Sequence, residues 1–445
     1  MTDDKKGQFS TTGMALRGGA MLEQLSGGRL LLWASGQAQI STSVTHAGRT
    51  YRPLLLVAGY EALLSAGAAL YGSLGELIQK VQSTFHTHTG LDPQNSLLVA
   101  SFVLATWVAE FLPSLPCLNL WGPAGSETAL RQLLVLLCRR PLALVEPSLR
   151  QLTQLPYTLG PTIILRQPSI SALRRLLTLS ADPHVVYGGR FLQLRSPVVV
   201  FTAHPVSLPF LGVALPRDRT PYRRLSPDQA GAARLLRPQL LQYRLASHPQ
   251  VAHSGFDRPE MAHPTRVIAR VLGACVEGDE AAQNQIVAAL ADRNETAKVM
   301  QSQSLEATVL EALLVPIHEK RSKVRVLDVA TIATGILRGR QEIASLTSHE
   351  VGALISDPLG LTKTRQKRGY ELRLDSTTCA AIHRQAHEMA VLSLLELRPD
   401  CRFCSDLVEA TPAPTGTPGA PCAPSAPVHP SDTKPGTKPT PEEAK

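Results

Sequence analysis

Along this chain the spacing of apolar residues changes three times, and each change predicts a different kind of element. Short strand-like runs come first, at residues 29–33 and 39–45, with a further apolar run at 54–57. They predict a small β-rich appendage. Residues 1–27 are rich in Gly and Ser and read as loose. Apolar residues then recur every three or four positions over 67–86, at Leu70, Leu74, Leu77, Ile78 and Val81, which predicts an amphipathic helix. A longer apolar helix is expected over 97–111, a break at Pro113–Pro116, and a strand at 117–121. The next helix, 128–138, presents Leu130, Leu133, Leu134 and Leu137. Continuously apolar strands are expected at 142–145, 162–165 and 198–201, with a helix over 169–177. Strands without alternation, separated by helices, predict a parallel sheet buried on both faces.

Beyond Pro221 the period is helical throughout, with helices expected over 228–246, 264–276, 281–292 and 305–320. Residues 323–392 then read as strand, helix, helix, hairpin and helix, with Ser348 as the expected N-cap of the second helix. That is the layout of a winged helix. Residues 411–445 hold ten prolines and no Leu, Ile, Phe, Tyr, Trp or Met. Such a segment cannot bury enough apolar surface to offset chain entropy. The division expected is therefore a small β-rich or partly disordered segment (1–60), an α/β domain (61–220), a helical region (221–320), a winged helix (321–395) and a disordered Pro-rich tail (405–445).

Composition narrows the class. The chain has 445 residues, 44% of them hydrophobic but only 4% aromatic, so the cores must be aliphatic. A net charge of +9 favours polyanionic partners, mildly for a chain this long. Seven cysteines form no regular framework and no secretory signal precedes them, so a cytoplasmic protein with reduced thiols is expected. The two greasiest stretches, 54–77 and 97–120, carry Glu61, Glu76 and Glu110 and are broken by glycine or proline. They read as buried core, not membrane spans.

The chemistry centres on the strand–loop–helix at 118–137. A phosphate-binding loop of the form G-x-x-x-x-G-K-[ST] cradles phosphates with backbone N–H groups, while its lysine reaches the β/γ-phosphates and its hydroxyl holds magnesium. Here the run is Gly122-Pro123-Ala124-Gly125-Ser126-Glu127-Thr128-Ala129. Glu127 stands for the second glycine, Thr128 for the lysine and Ala129 for the hydroxyl residue. A carboxylate where an anion should bind repels it. What remains of a nucleotide cradle is Gly122, Gly125, Ser126 and Thr128. The bland alternative is an ordinary turn before a helix, with Glu127 favourable in its first turn. The acidic strand expected downstream is equally altered. Pro161-Thr162-Ile163-Ile164-Leu165 ends in Arg166-Gln167, where a metal-organising Asp and a catalytic Glu belong. Neither residue can hold magnesium or activate water. No metal, cofactor or catalytic residue is expected, and ATP binding is doubtful.

With these residues in view, the chain resembles degenerate members of a family of bacterial P-loop ATPases related to primase–helicase-like proteins of mobile elements. The resemblance spans about 86–391 and rests on 101–107, 122–129, 137–141 (Leu-Cys-Arg-Arg-Pro), 161–177, 240–244 (Leu-Leu-Gln-Tyr-Arg) and Ile382-His383-Arg384. It implies a P-loop NTPase-like parallel sheet flanked by helices. Intact relatives would bind ATP through the loop, but this sequence departs at the residues that carry that activity.

In the winged helix, the hairpin supplies Lys363, Arg365, Lys367, Arg368 and Arg373, suited to the phosphates of double-stranded DNA. The preceding helix has no Arg or Lys between Ser348 and Leu361, so base readout is poorly provided for. A solvated wing that docks another protein is the plainer reading. Phe85-His86-Thr87-His88 lacks further ligands, and Cys401-Arg402-Phe403-Cys404 is a lone C-x-x-C, a zinc half-site, a redox pair or chance spacing. The expectation is a catalytically inactive, P-loop-ATPase-like accessory or regulatory protein associated with nucleic acid. Two alternatives stand beside it: a cryptic nucleotide-binding ATPase completed by Arg139 or Arg166, and a protein-binding scaffold.

Overall fold

A computed structural model of the chain describes residues 8–410 except 57–58, 145–159, 182–184, 188–189, 193–195, 207–209, 217–223, 343–344, 368, 390, 392–397 and 399. The chain divides into two compact units, Met1–Ser393 and Leu394–Lys445. In the second, the described element is a helix at Arg402–Ala410. The stretch expected to be disordered, 411–445, lies outside the described residues.

The first unit opens with seven short strands: Gln8–Thr11 (β1), Gly13–Ala15 (β2), Met21–Leu25 (β3), Arg29–Ala34 (β4), Gln37–Ser41 (β5), Val44–His46 (β6) and Arg49–Pro53 (β7). They form one sheet in the order β1-β7-β6 and another in the order β2-β3-β4-β5. The β4–β5 and β6–β7 turns are two residues long, and both residues of each have positive φ: Ser35-Gly36 and Ala47-Gly48. That is the primed turn geometry that matches strand twist. Of the stretch 1–27 expected to be loose, residues 8–27 are thus ordered in strands and turns, and 1–7 lie outside the described residues. Every residue of Met21–Leu25 is buried, and Leu22 packs with Leu30, Val44 and Tyr51. The expected strand over 39–45 is two strands, parted at Thr42-Ser43.

Helix Leu74–Thr89 (α1) begins seven residues later than the apolar spacing predicted, because Ser73 caps it by accepting from Glu76 N–H and Gly72 turns the chain at φ 80°. Leu70, read as a core position, is exposed. Helix Pro93–Trp107 (α2) is buried continuously from Ser96 to Trp107, which explains its lack of a polar face.

Five strands form the central sheet: Cys117–Trp121 (β8), Pro141–Leu144 (β9), Thr162–Arg166 (β10), Val198–Thr202 (β13) and Leu211–Ala214 (β14). A hairpin, Val185–Tyr187 (β11) and Arg190–Leu192 (β12), lies between β10 and β13 in sequence. The sheet order is β14-β8-β13-β10-β9, with every pairing parallel. Alternate strand residues serve two cores. Leu118, Leu120, Ile164 and Val199 face the large core with α2 and helix Thr128–Leu137 (α3). Ile163, Leu165, Val198 and Val200 pack with Leu173 and Leu176 of helix Ile170–Ala181 (α4). A parallel sheet covered by helices is what the unbroken apolar strands predicted.

The helical region is more broken than its sequence reads. Residues 228–246 hold two helices, Pro227–Arg234 (α5) and Leu236–Ala252 (α6), parted at an exposed Leu235. Helices His263–Ala274 (α7), Glu280–Ala289 (α8) and Leu305–His318 (α10) match expectation, whereas Ala291–Ser302 (α9) does not. Helix α9 buries only Asn294, so it offers no apolar stripe to detect. The unit closes with Lys323–Arg325 (β15), Val326–Gly339 (α11), Ser348–Ser356 (α12), Lys363–Gln366 (β16), Gly369–Arg373 (β17) and Ser376–Glu388 (α13). Its strands form an antiparallel sheet in the order β15-β17-β16. The cap of α12 is Thr347, not Ser348: its hydroxyl accepts from Glu350 N–H while Glu350 accepts from Thr347 N–H. Among the described residues no helix is long and apolar enough to cross a membrane.

Candidate nucleotide and nucleic-acid sites

The loop Gly122–Glu127 leaves the carboxyl end of β8, whose neighbours β13 and β14 lie on opposite sides. This is the switch point of the sheet, where open α/β folds bind ligands. Gly122 is required there: a Cβ would lie 2.7 Å from Leu215 Cβ. Gly125 adopts φ 93°, which lets the loop fold back.

Folded back, the loop spends its donors on itself. Ser126 N–H donates to Pro123 O at 3.2 Å, and Thr128 N–H reaches Gly125 O at 3.4 Å. The hydroxyls follow, Ser126 Oγ to Pro123 O at 2.7 Å and Thr128 Oγ1 to Gly125 O at 3.0 Å. Gly125 N–H donates to Glu127 Oε2 at 2.7 Å. The other oxygen of Glu127 takes Arg166 through Nε and Nη2, both at 3.0 Å. The buried carboxylate of Glu127 thus sits on a loop N–H of the kind that holds an anion in a phosphate loop. Arg166, at the tip of β10, neutralises it.

The four expected cradle residues do come together, but Gly125, Ser126 and Thr128 are engaged within the loop. Arg139 lies elsewhere. With Arg140 and Arg244 it converges on Glu23 of β3, at 2.6, 2.7 and 2.6 Å respectively. Glu110 pairs with Arg244 and, at 3.5 Å, with Arg139. Arg244, fully buried, also donates to Trp107 O at 2.6 Å, and Arg140 donates to Thr12 O. Burial alone would raise the Glu23 carboxyl, but the three guanidiniums pull it down to about 2. Glu110 is likewise held low, chiefly by Arg244 against its own burial. The network pins the N-terminal strands to the sheet domain. Glu23 and Glu110 were not foreseen as partners, although a lone acid inside Met21-Leu22-Glu23-Gln24-Leu25 is the signal.

In the C-terminal sheet, Arg365, Lys367 and Arg373 are exposed on the hairpin. Lys363 is half-buried, with its ammonium donating to Gly352 O and lying 5.2 Å from the centroid of the Tyr370 ring. Arg368 lies outside the described residues. The exposed start of α12 shows Ser348, His349 and Glu350, with no cation on the helix itself.

No family model matches the sequence, and no curated protein matches it. Among solved structures, the chain is similar to the C-terminal region of NrS-1 in its apo form, at 9% identity over 83% of this chain and 96% of that one, with a TM-score of 0.34. It is also similar to SCCmec type IV Cch, described as an active helicase, at 10% identity over 84% and 80%, with a TM-score of 0.39.

Proposed function

We propose that this chain is a nucleic-acid-associated P-loop-ATPase-like protein that does not hydrolyse ATP and acts as an accessory or regulatory component. The observation that carries the reading is the ion pair between Glu127 and Arg166, closed over Gly125 N–H. A triphosphate entering the loop would have to displace a carboxylate already hydrogen-bonded and paired. It would find neither a lysine nor a magnesium ligand in its place. Both halves of the catalytic apparatus are replaced by groups that satisfy each other, which a structural role explains and turnover does not.

Nucleic acid enters through the strands and helices of Lys323–Glu388, read as a winged helix. Arg365, Lys367 and Arg373 stand exposed on the β16–β17 hairpin, where a wing follows a phosphate backbone. Helix α12 offers little for base edges, so contact should be independent of sequence. Calorimetry with ATP and magnesium, beside a phosphate-release assay, tests the first part. Turnover near ~1 s⁻¹, at the low end of ordinary enzymes and abolished by Glu127→Lys, would overturn it.

A further inference from the structure

Ile382-His383-Arg384 has no part in the loop or the hairpin, yet His383 is buried at 1% exposure on α13. Its ring meets that of His318, the last residue of α10, edge to face at 64° with centroids 5.4 Å apart. Nδ1 of His383 lies 2.8 Å from the carbonyl oxygen of Cys379, one turn earlier. A carbonyl only accepts, so the proton sits on Nδ1 and the lone pair of Nε2 points outward. It points at Nε2 of His318, 3.3 Å away.

The distance discriminates between two accounts. A hydrogen bond with a nitrogen donor prefers about 2.9–3.0 Å, so 3.3 Å is long for one. Two nitrogens each about 2.0–2.1 Å from one tetrahedral zinc ion stand about 3.3–3.4 Å apart. An imidazole whose far N–H is anchored on a carbonyl is also how metal-binding histidines are oriented.

We propose that His318 and His383 are two ligands of a structural zinc ion whose remaining ligands are thiolates of this chain. No carboxylate joins the pair in a ligand-type cluster among the described residues, and none of the described cysteines is in a disulfide. Mixed imidazole–thiolate sets are usual for structural zinc. The ion would clamp the end of α10 to α13 and so hold the hairpin on the helical region. This does not depend on how the phosphate loop is read.

Full-length protein purified without chelator is expected to carry one zinc ion per chain by elemental analysis. Exchange for cobalt(II) should give the visible bands of a tetrahedral ion with a near-ultraviolet thiolate charge-transfer band. His318→Ala and His383→Ala should each lower zinc content at least tenfold, whereas His383→Cys should retain the ion and shift the visible bands. Serine substitution of the seven cysteines in turn should find two whose loss removes the charge-transfer band. Should the alanine variants fail to fold, the cobalt spectrum of the wild-type chain still decides. Chelator-free protein without stoichiometric metal, a cobalt spectrum lacking the thiolate band, or full zinc retention by the His318→Ala/His383→Ala double variant would each overturn the proposal.

Discussion

Of the carboxylates that meet arginine in this molecule, Glu23 and Glu127 serve different ends because their surroundings differ. Glu23 lies among three guanidiniums, and all four side chains are nearly or fully buried. Glu127 is as well buried, but its arginine is half exposed, and it also accepts a backbone N–H of its own loop. At the first site the charges fix one part of the chain to another. At the second, in the proposed reading, the charge stands where a ligand's would. What separates a strut from a plug is whether the partner can be released to water: Arg166 can, and Arg244 cannot.

The sharpest break of that comparison is removal of each acid. Glu23→Ala removes the buried carboxylate on which Arg139, Arg140 and Arg244 converge, leaving Glu110 to pair Arg244 and, at 3.5 Å, Arg139. Deleting one partner of a buried pair costs about 3–5 kcal/mol, enough to unfold many domains. Glu127→Ala should cost about 1 kcal/mol, since Arg166 simply turns into solvent. Urea denaturation of both variants checks the ratio. Equal losses would show that the two sites are alike after all.

Acid should test the Glu23 network next. Glu23 has its carboxyl lowered from 4.5 to about 2 in the folded chain, so its contribution is complete above pH 4.5 and is lost as pH falls toward 2. A shift of that size corresponds to on the order of 3 kcal/mol. A stability profile of Glu23→Gln should be flatter than that of the wild type over this window. A wild-type profile that is already flat between pH 4.5 and 2 would rule out the ionic strut.

Which of these sites the sequence could disclose follows from how local each one is. The strand, loop and helix at 117–137 and the strand ending at Arg166 were readable because each lies in one contiguous run. That Glu127 and Arg166 pair was not readable, since 39 positions separate them and only the sheet order brings the strand ends together. The Glu23 network spans up to 221 positions, from β3 to α6, beyond any periodic signal. The central sheet was legible because buried parallel strands are apolar without interruption. The N-terminal strands were obscured by glycines that serve tight turns but read as looseness. The starts of α1 and α12 were misplaced because Ser73 and Thr347, each followed by Glu at the third position, outweighed the apolar spacing.

The smallest effect on stability, and the largest on binding, is expected at the exposed hairpin residues Arg365 and Lys367. Each phosphate neutralised on duplex DNA releases counterions, with a log–log salt slope of about −0.9 per contact. Arg365→Ala with Lys367→Ala should flatten that slope by roughly one to two units. It should move the melting temperature little, because both side chains already face water. Lys363→Ala should behave in the opposite way. Its ammonium is engaged by Gly352 O and the Tyr370 ring, so stability should fall by about 1 kcal/mol while the salt slope stays as in the wild type. The effect of the double substitution should be similar across unrelated DNA sequences, since α12 presents no cation to base edges. Fluorescence anisotropy at several salt concentrations reads both quantities. If Lys363→Ala flattens the slope as much as the double variant, the lysine leaves its internal partners on binding and belongs with the plug, not the strut. If no variant changes binding, or no binding exists at low salt, the hairpin faces a protein and the nucleic-acid reading fails.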